Sequence, residues 1–245
     1  MKTAPLLIVL ALGLVWTRLP AAETAAHPPI RMVIVGDSTV CNYPETTVRR
    51  GWGMFIQGYF NSNELKVVNL ALSGRSTKTF IQEGHWAGVL KARPDFVLIQ
   101  FGHNDSHTPD HPEATDASTA YPQYLRQYID EARAAGARPV LITPMCRRSF
   151  QTNGLVDNAL LPYANAMKAV AREKQVPLVD LNAASVRLCD QLGPDACKSL
   201  ANDAKDATHF NAKGARAMAG LVMRELPVVE PALQKYLKPA PAGPQ

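Results

Sequence analysis

The amino-acid sequence predicts an α/β fold, a three-layer α/β/α sandwich built on a five-stranded parallel sheet. Two observations predict it. Short apolar runs alternate with segments of helical periodicity along the body of the chain, and such alternation forms βαβ units with right-handed crossovers. The runs are also apolar on both faces, as strands are when helices cover both sides of a parallel sheet.

Each predicted strand corresponds to one apolar run. The five runs are residues 31–35, 66–70, 95–101, 138–143 and 176–181. Apolar residues at helical spacing predict helices over residues 121–132, 160–171 and 213–226. The longest connections, residues 36–50, 102–119 and 144–157, all leave the carboxyl ends of strands. Open α/β sheets bind ligands at that edge, so we expect a site there.

The ends of the chain have a different composition from its body. Lys2, an apolar run over residues 6–16 and small residues up to Ala26 form the three-part pattern of a signal peptide. The apolar run is shorter than the span of about 20 residues that a membrane helix needs. We therefore predict a signal peptide over residues 1–26, cleaved at about residues 22–26, and a secreted or periplasmic protein. Residues 27–238 then form one domain, and residues 239–245 a flexible Pro-rich tail.

Export would place the four cysteines in an oxidising compartment, where disulfides form. Cys189 and Cys197 flank a Gly-Pro turn, which makes a local disulfide between them plausible. Cys41 and Cys146 each follow a predicted strand, and whether they pair stays open. The sequence has no Cys-x-x-Cys spacing and we assign none of its histidines to a metal, so we expect no metal and no cofactor.

The formal net charge of +5 includes Lys2 and Arg18, which a signal peptide would remove. The remaining charge is mildly basic, and a local basic cluster could still favour an acidic substrate. We expect a monomer without a nucleic-acid partner and without stable membrane association.

Three candidate site residues follow three successive predicted strands. Ser38 stands two residues past Gly36, which ends the first apolar run, and its hydroxyl would face a cleft there. Gly74 follows the second strand, and a glycine lets a backbone N–H approach a substrate oxygen closely. Asn104 follows the third strand and carries a neutral donor suited to an oxyanion. Taken alone, each of these residues is also typical of an ordinary turn without a catalytic role. His103, beside Asn104, has no carboxylate at fixed spacing, which favours a supporting role.

A histidine with such a carboxylate stands near the carboxyl end of the chain. Asp206 precedes His209 by three residues, so one tight turn can bring the carboxylate to an imidazole nitrogen. That contact fixes the tautomer of a general base and stabilises its protonated form. A helix cap at Asp206 and a surface histidine at His209 are the alternative interpretation of this pair alone. Together, Ser38, Asp206 and His209 are the groups that activate a serine nucleophile.

Over about residues 30–226 the chain resembles the GDSL, or SGNH, hydrolase family. The resemblance rests on four blocks: Gly36-Asp37-Ser38, Gly74, Gly102-His103-Asn104-Asp105 and Asp206-Ala-Thr-His209. It implies a flavodoxin-like α/β/α fold, with Ser38 as nucleophile, His209 as base and Asp206 as the group that orients it. It also implies an oxyanion hole from the backbone N–H groups of Ser38 and Gly74 and the side chain of Asn104.

Within that family, the residues around the four blocks are similar to those of rhamnogalacturonan acetylesterases, although Thr39 departs from the Gly-Asp-Ser-Leu form. That similarity implies removal of acetyl groups from an acetylated acidic polysaccharide of pectin. Trp52 would then stack on a sugar, and Arg75, Arg147 and Arg148 would meet galacturonate carboxylates. His103 completes the set of candidate substrate-binding residues.

Two alternatives stay open at this stage. One is an esterase of the same fold that acts on acetylated xylan, a short-chain ester or a lysophospholipid. The other is a carbohydrate-binding protein whose hydrolase fold is catalytically silent.

Overall fold

The computed structural model describes residues 28–239. Five parallel strands form one sheet in the order β2-β1-β3-β4-β5, which confirms the predicted α/β sandwich and its five-stranded sheet. The strands are β1 (Ile30–Gly36), β2 (Leu65–Asn69), β3 (Phe96–Gln100), β4 (Arg138–Ile142) and β5 (Leu178–Val179). The predicted signal peptide, and the predicted tail apart from Pro239, lie outside the described residues.

Six α-helices flank the sheet: α1 (Thr77–Gln82), α2 (His85–Lys91), α3 (Ala120–Ala134), α4 (Leu161–Lys174), α5 (Leu181–Cys197) and α6 (Ala212–Val229). Short 3₁₀ segments cover Trp52–Tyr59, Lys198–Leu200 and Pro231–Tyr236. Sequence periodicity predicted α3, α4 and α6. It did not predict α1 and α2, since neither is long enough to show a helical stripe, and it also missed α5. The predicted Gly-Pro turn is a break inside α5, where Gly193 has φ 73° and ψ 172°.

The sheet is buried on both faces because successive residues of its strands enter two different cores. In β1, Met32 and Ile34 belong to one apolar cluster, which includes residues of α5 and α6. Val33 and Val35 belong to the other, which includes residues of α1 to α4. This alternation is the period of two that a strand imposes, and it explains why the strand sequences are apolar throughout.

The predicted disulfide between Cys189 and Cys197 is absent from the structure. Both thiols are buried and free, as are those of Cys41 and Cys146. The Sγ of Cys197 contacts the carbonyl oxygen of Cys189 at 3.8 Å, so it is directed at the backbone across the Gly193 break.

The carboxyl ends of β1, β2, β3 and β4 all meet at one edge of the sheet. Within residues 28–239, no helix combines the length and the apolar character needed to cross a membrane.

Candidate active site

Ser38 lies in a tight turn at the end of β1, here called the serine turn and comprising residues 36–41. The backbone N–H groups of Val40 and Cys41 both donate to the carbonyl oxygen of Asp37 at 3.1 Å, which closes the turn. Gly36 is needed because a Cβ there would lie 2.6 Å from the Gln100 carbonyl oxygen. The turn is therefore packed directly against β3, and Ser38 is 6% exposed.

The carboxylate of Asp37 organises this turn from inside. It is completely buried and accepts hydrogen bonds from the backbone N–H and the hydroxyl of Thr39, at 2.8 and 2.7 Å. The Nδ1 atom of His103 lies 3.4 Å from its other oxygen. Burial alone raises the pKa of Asp37, but His103 and the Thr39 hydrogen bonds together lower it below its ordinary value. His103 is 2% exposed, so the structure gives it the supporting position next to the serine turn rather than a surface for substrate.

The two further oxyanion candidates lie together on the neighbouring loops. Gly74 has φ +80° and open space where a Cβ would point, so glycine serves the backbone conformation there. The Asn104 side-chain amide donates to the carbonyl oxygen of Arg75 at 2.9 Å, which leaves its second N–H unused. Among the described residues, the backbone N–H groups of Ser38 and Gly74 donate to no protein acceptor. These donors are available to a developing negative charge.

Asp206 and His209 form a second turn, here called the histidine segment and comprising residues 206–209. The two oxygens of the Asp206 carboxylate make different contacts. Oδ1 accepts from the backbone N–H groups of Thr208 and His209, each at 2.8 Å, while Oδ2 lies 2.8 Å from His209 Nδ1. The other imidazole nitrogen, Nε2, lies 2.9 Å from Ser38 Oγ. Although burial raises the pKa of Asp206, the two backbone hydrogen bonds and His209 lower it overall.

One arginine holds the histidine segment in place. The guanidinium of Arg148 donates to the carbonyl oxygens of Asp206 and His209, at 2.9 and 2.6 Å, and stacks over the Phe210 ring at 4.4 Å. The backbone N–H of Arg148 adds a bond of 2.8 Å to the Ala207 carbonyl oxygen. Arg148 is only 9% exposed, and the prediction that it meets a substrate carboxylate is corrected: its charge is turned to the backbone of this segment.

The other predicted substrate contacts divide into buried and exposed side chains. Trp52 is wrong as a sugar-stacking residue, because it is 0% exposed and its Nε1 donates to the Gln100 side chain at 2.9 Å. The side chain of Arg75 is 38% exposed, but Glu83 pairs with its guanidinium at 2.8 Å. Arg147 is half-buried and donates to the His103 carbonyl oxygen at 3.0 Å, so it lies beside the site.

The structure also shows residues near the site that the sequence did not single out. Arg49 places Nη2 3.6 Å from Oδ2 of Asp206, and its side chain is 43% exposed. The only sequence signal was its place just before Trp52. Tyr43 donates its hydroxyl to the Ser38 carbonyl oxygen at 2.8 Å, and no sequence signal pointed to it.

Asp105, next to Asn104, is also completely buried. It accepts from the Thr77 backbone N–H at 3.1 Å and the Thr115 hydroxyl at 2.8 Å, which ties the loop after β3 to the start of α1. Burial raises the pKa of Asp105 to about 6, because these neutral donors offset only part of the desolvation cost.

A parallel α/β sheet with a hydrogen-bonded serine, histidine and aspartate at its carboxyl edge is the arrangement of acyl hydrolases as a class. Comparison with known proteins gives the family. The model of the GDSL-like Lipase/Acylhydrolase family matches residues 34–217, and the chain belongs to that family. The predicted resemblance is thereby confirmed.

Two curated relatives match most of the chain. The chain is 38% identical over 196 residues to the probable rhamnogalacturonan acetylesterase YesY of Bacillus subtilis, covering 78% of this chain and 89% of that protein. It is 36% identical over 209 residues to the rhamnogalacturonan acetylesterase RhgT of the same organism, covering 79% and 88%. These relatives support a carboxylic ester hydrolase of the carbohydrate esterase type.

Solved structures agree on the fold. The crystal structure of the YxiM protein of Bacillus subtilis matches with a TM-score of 0.73 and 29% identity, over 81% of this chain and 56% of that chain. Axe2, an acetylxylan esterase from Geobacillus stearothermophilus, matches with a TM-score of 0.65 and 22% identity, over 82% of this chain and 95% of that chain. At the latter identity the match supports the fold alone.

Proposed function

We propose that this protein is a secreted serine esterase that removes O-acetyl groups from rhamnogalacturonan, a pectic polysaccharide. The observation that carries the proposal is the continuous hydrogen-bonded path from Ser38 Oγ through His209 to Asp206, at 2.9 and 2.8 Å. The identity to rhamnogalacturonan acetylesterases supports the substrate class.

The proposed reaction is a two-step acyl transfer. His209 Nε2 takes the proton of Ser38 as Oγ attacks the acetyl carbonyl carbon, and the carbonyl oxygen becomes an oxyanion. The N–H groups of Ser38 and Gly74 and the Asn104 amide stabilise that charge. The oxyanion then collapses, the sugar oxygen leaves with the proton from His209, and an acetyl-serine remains. Water attacks this ester with His209 again as base, which releases acetate and restores Ser38.

Asp206 supports both steps through its charge. Its lowered pKa keeps the carboxylate ionised at neutral pH, so it holds the Nδ1 proton of His209 and stabilises the imidazolium that each attack creates.

The charges around the site fit an acidic polymer. Arg49 is exposed next to Asp206, and Arg147 lies beside the loop of His103. Both guanidinium groups can pair with carboxylates of galacturonate in the backbone of the polysaccharide. The proposed secretion rests on the N-terminal sequence pattern and fits a polymer found outside cells.

The test is acetate release from acetylated rhamnogalacturonan, acetylated xylan and p-nitrophenyl esters of acetate and octanoate. We expect the highest kcat/KM on acetylated rhamnogalacturonan, and Ser38→Ala should lower kcat by about 10⁶-fold, as in the best-studied triad. Full esterase activity in Ser38→Ala would refute the mechanism. Preference for xylan or for octanoate would refute the substrate, and polysaccharide binding without any turnover would refute catalysis. Circular dichroism of the variant controls for its fold.

A further inference from the structure

Three side chains that could ligate a metal converge on the loop between β3 and α3. They are His107, His111 and Glu113, here called the Glu113 cluster. Glu113 Oε1 lies 2.6 Å from Nδ1 of His107 and 3.4 Å from Nδ1 of His111. One ligand atom from each residue falls within 4.8 Å of the others, a grouping found only here among residues 28–239.

The backbone presents these side chains through two successive turns. The His107 N–H donates to the Asn104 carbonyl oxygen at 3.2 Å, and the His111 N–H donates to that of Thr108 at 2.9 Å. Beyond the cluster, the Thr115 N–H donates to the Asp105 carbonyl oxygen at 3.0 Å. Both ends of the loop are thus tied to the same pair of buried residues, Asn104 and Asp105.

The spacing of the ligand atoms is close to what a small cation requires. Zn²⁺ binds histidine nitrogen at about 2.0–2.1 Å and carboxylate oxygen at about 2.0–2.2 Å, so neighbouring ligand atoms of a tetrahedral site lie about 3.3 Å apart. The two distances to Glu113 bracket that value, and small side-chain rotations would equalise them. Imidazole nitrogens select Zn²⁺, Cu²⁺ or Ni²⁺, whereas Mg²⁺ and Ca²⁺ prefer oxygen ligands.

We propose that His107, His111 and Glu113 form a binding site for a divalent transition-metal cation of the Zn²⁺ type, with water as the remaining ligand. The side chains of His107 and His111 are 36% and 51% exposed, which leaves an entry path for the ion. The site lies outside the hydrolytic machinery, and the cation would cross-link the loop that begins at Asn104.

A second histidine–carboxylate pair supplies a matched control. His85 Nε2 lies 2.9 Å from Glu83 Oε2, with a side-chain exposure of 33%. It offers one imidazole instead of two, and Arg75 already pairs with the same oxygen of Glu83. If one imidazole beside one carboxylate were enough to bind the cation, this pair would bind it as well as the Glu113 cluster.

The experiment is isothermal titration calorimetry, in which ZnCl₂ is added to the tag-free protein after its metals have been removed. Thermal unfolding with and without ZnCl₂ supports it. We expect one Zn²⁺ per chain and a higher Tm. His107→Ala and His111→Ala should each raise Kd by at least about tenfold, as loss of even indirect metal partners does, whereas His85→Ala should leave Kd unchanged. MgCl₂ should not compete.

Two outcomes would overturn the proposal. One is the absence of stoichiometric Zn²⁺ binding to the wild-type protein. The other is equal binding by the wild-type protein and the double variant of His107 and His111, which would place the ion elsewhere, for instance at His209 or at the buried thiols.

Discussion

The serine turn and the histidine segment meet at one site, but they are positioned in different ways. The serine turn is held by close packing of the chain against itself. A Cβ on Gly51 would lie 2.2 Å from the Cys41 carbonyl oxygen, and one on Gly53 would lie 2.6 Å from that of Val40. The histidine segment is more open, with side chains of Asp206 and His209 that are 18% and 23% exposed.

Directed hydrogen bonds take the place of packing in the histidine segment. Arg148 donates hydrogen bonds to the Asp206 and His209 carbonyl oxygens. The Asp206 carboxylate closes the turn by accepting from two backbone N–H groups. The stability of the serine turn therefore depends on close packing, whereas the position of His209 depends on a few charge-assisted hydrogen bonds. Substitutions in the two regions should differ in whether they affect stability or activity first.

Among substitutions that test how the two regions are positioned, Asp206→Asn should give the largest effect on activity. The asparagine Oδ1 can still accept from the Thr208 and His209 N–H groups, so we expect the turn and the Tm to change little. Its amide nitrogen would donate to His209 Nδ1 and favour the wrong tautomer, which lowers kcat by about 10⁴-fold in the best-studied triad. Kinetics on p-nitrophenyl acetate measure the loss. Asp203→Asn, an exposed neighbour, is the control, and an active Asp206→Asn enzyme would exclude the role given to Oδ2.

Arg148→Met should give the next largest effect. Loss of the guanidinium leaves the Asp206 and His209 carbonyl oxygens without their charged donor, so the imidazole should shift relative to Ser38. A displacement of this kind costs about 10²-fold in kcat. The matched control is Arg216→Met, because Arg216 stacks over Phe55 at 4.2 Å much as Arg148 stacks over Phe210. Equal losses in both variants would show that stacking on an aromatic ring, and not the hydrogen bonds, is what matters.

Two arginines just past β4 show which contacts the sequence could not predict. Arg147 and Arg148 are neighbours of the same type just past β4, and the sequence assigned both to substrate. Alternation after the strand turns one side chain to the Ser106 loop and the other to the histidine segment, and only tertiary contacts show which. Trp52 failed for a related reason. An indole ring can stack on a sugar or pack in a core. The hydrogen bond from Trp52 Nε1 to the buried Gln100 side chain holds this ring in the core.

The sheet and the four blocks were predictable because each rests on a short-range pattern. Runs that are apolar on both faces predict strands covered by helices on both sides of the sheet. In a parallel sheet, the residues that follow the strands lie together at one edge. The contact between Asp206 and His209 needs a separation of only three residues. By contrast, α1, α2, the state of the cysteines and the contacts of Arg49 and Tyr43 depend on packing between distant segments, which no local pattern encodes.

Gly51→Ala tests the serine turn and should give the smallest loss of activity. The added Cβ would meet the Cys41 carbonyl oxygen at 2.2 Å and the Val40 carbonyl carbon at 2.4 Å, both backbone atoms that cannot move aside. Overpacking of this kind costs about 1–3 kcal/mol of unfolding free energy. Gly58→Ala, in the following 3₁₀ segment, is the control, because nothing lies within 4 Å of its Cβ. Urea unfolding of both variants measures the difference.

The kinetic result for Gly51→Ala distinguishes two views of the turn. If the packed glycines only allow the chain to fold, the folded variant should keep kcat within a few-fold of wild type, and all of its loss should appear in unfolding free energy. If they also set the position of Ser38 Oγ, kcat should fall in fully folded protein. The buried Asp37 carboxylate and the Tyr43 hydroxyl bond hold Ser38 independently of Gly51, which favours the first result. Equal stability of the Gly51 and Gly58 variants would show that packing does not stabilise the serine turn.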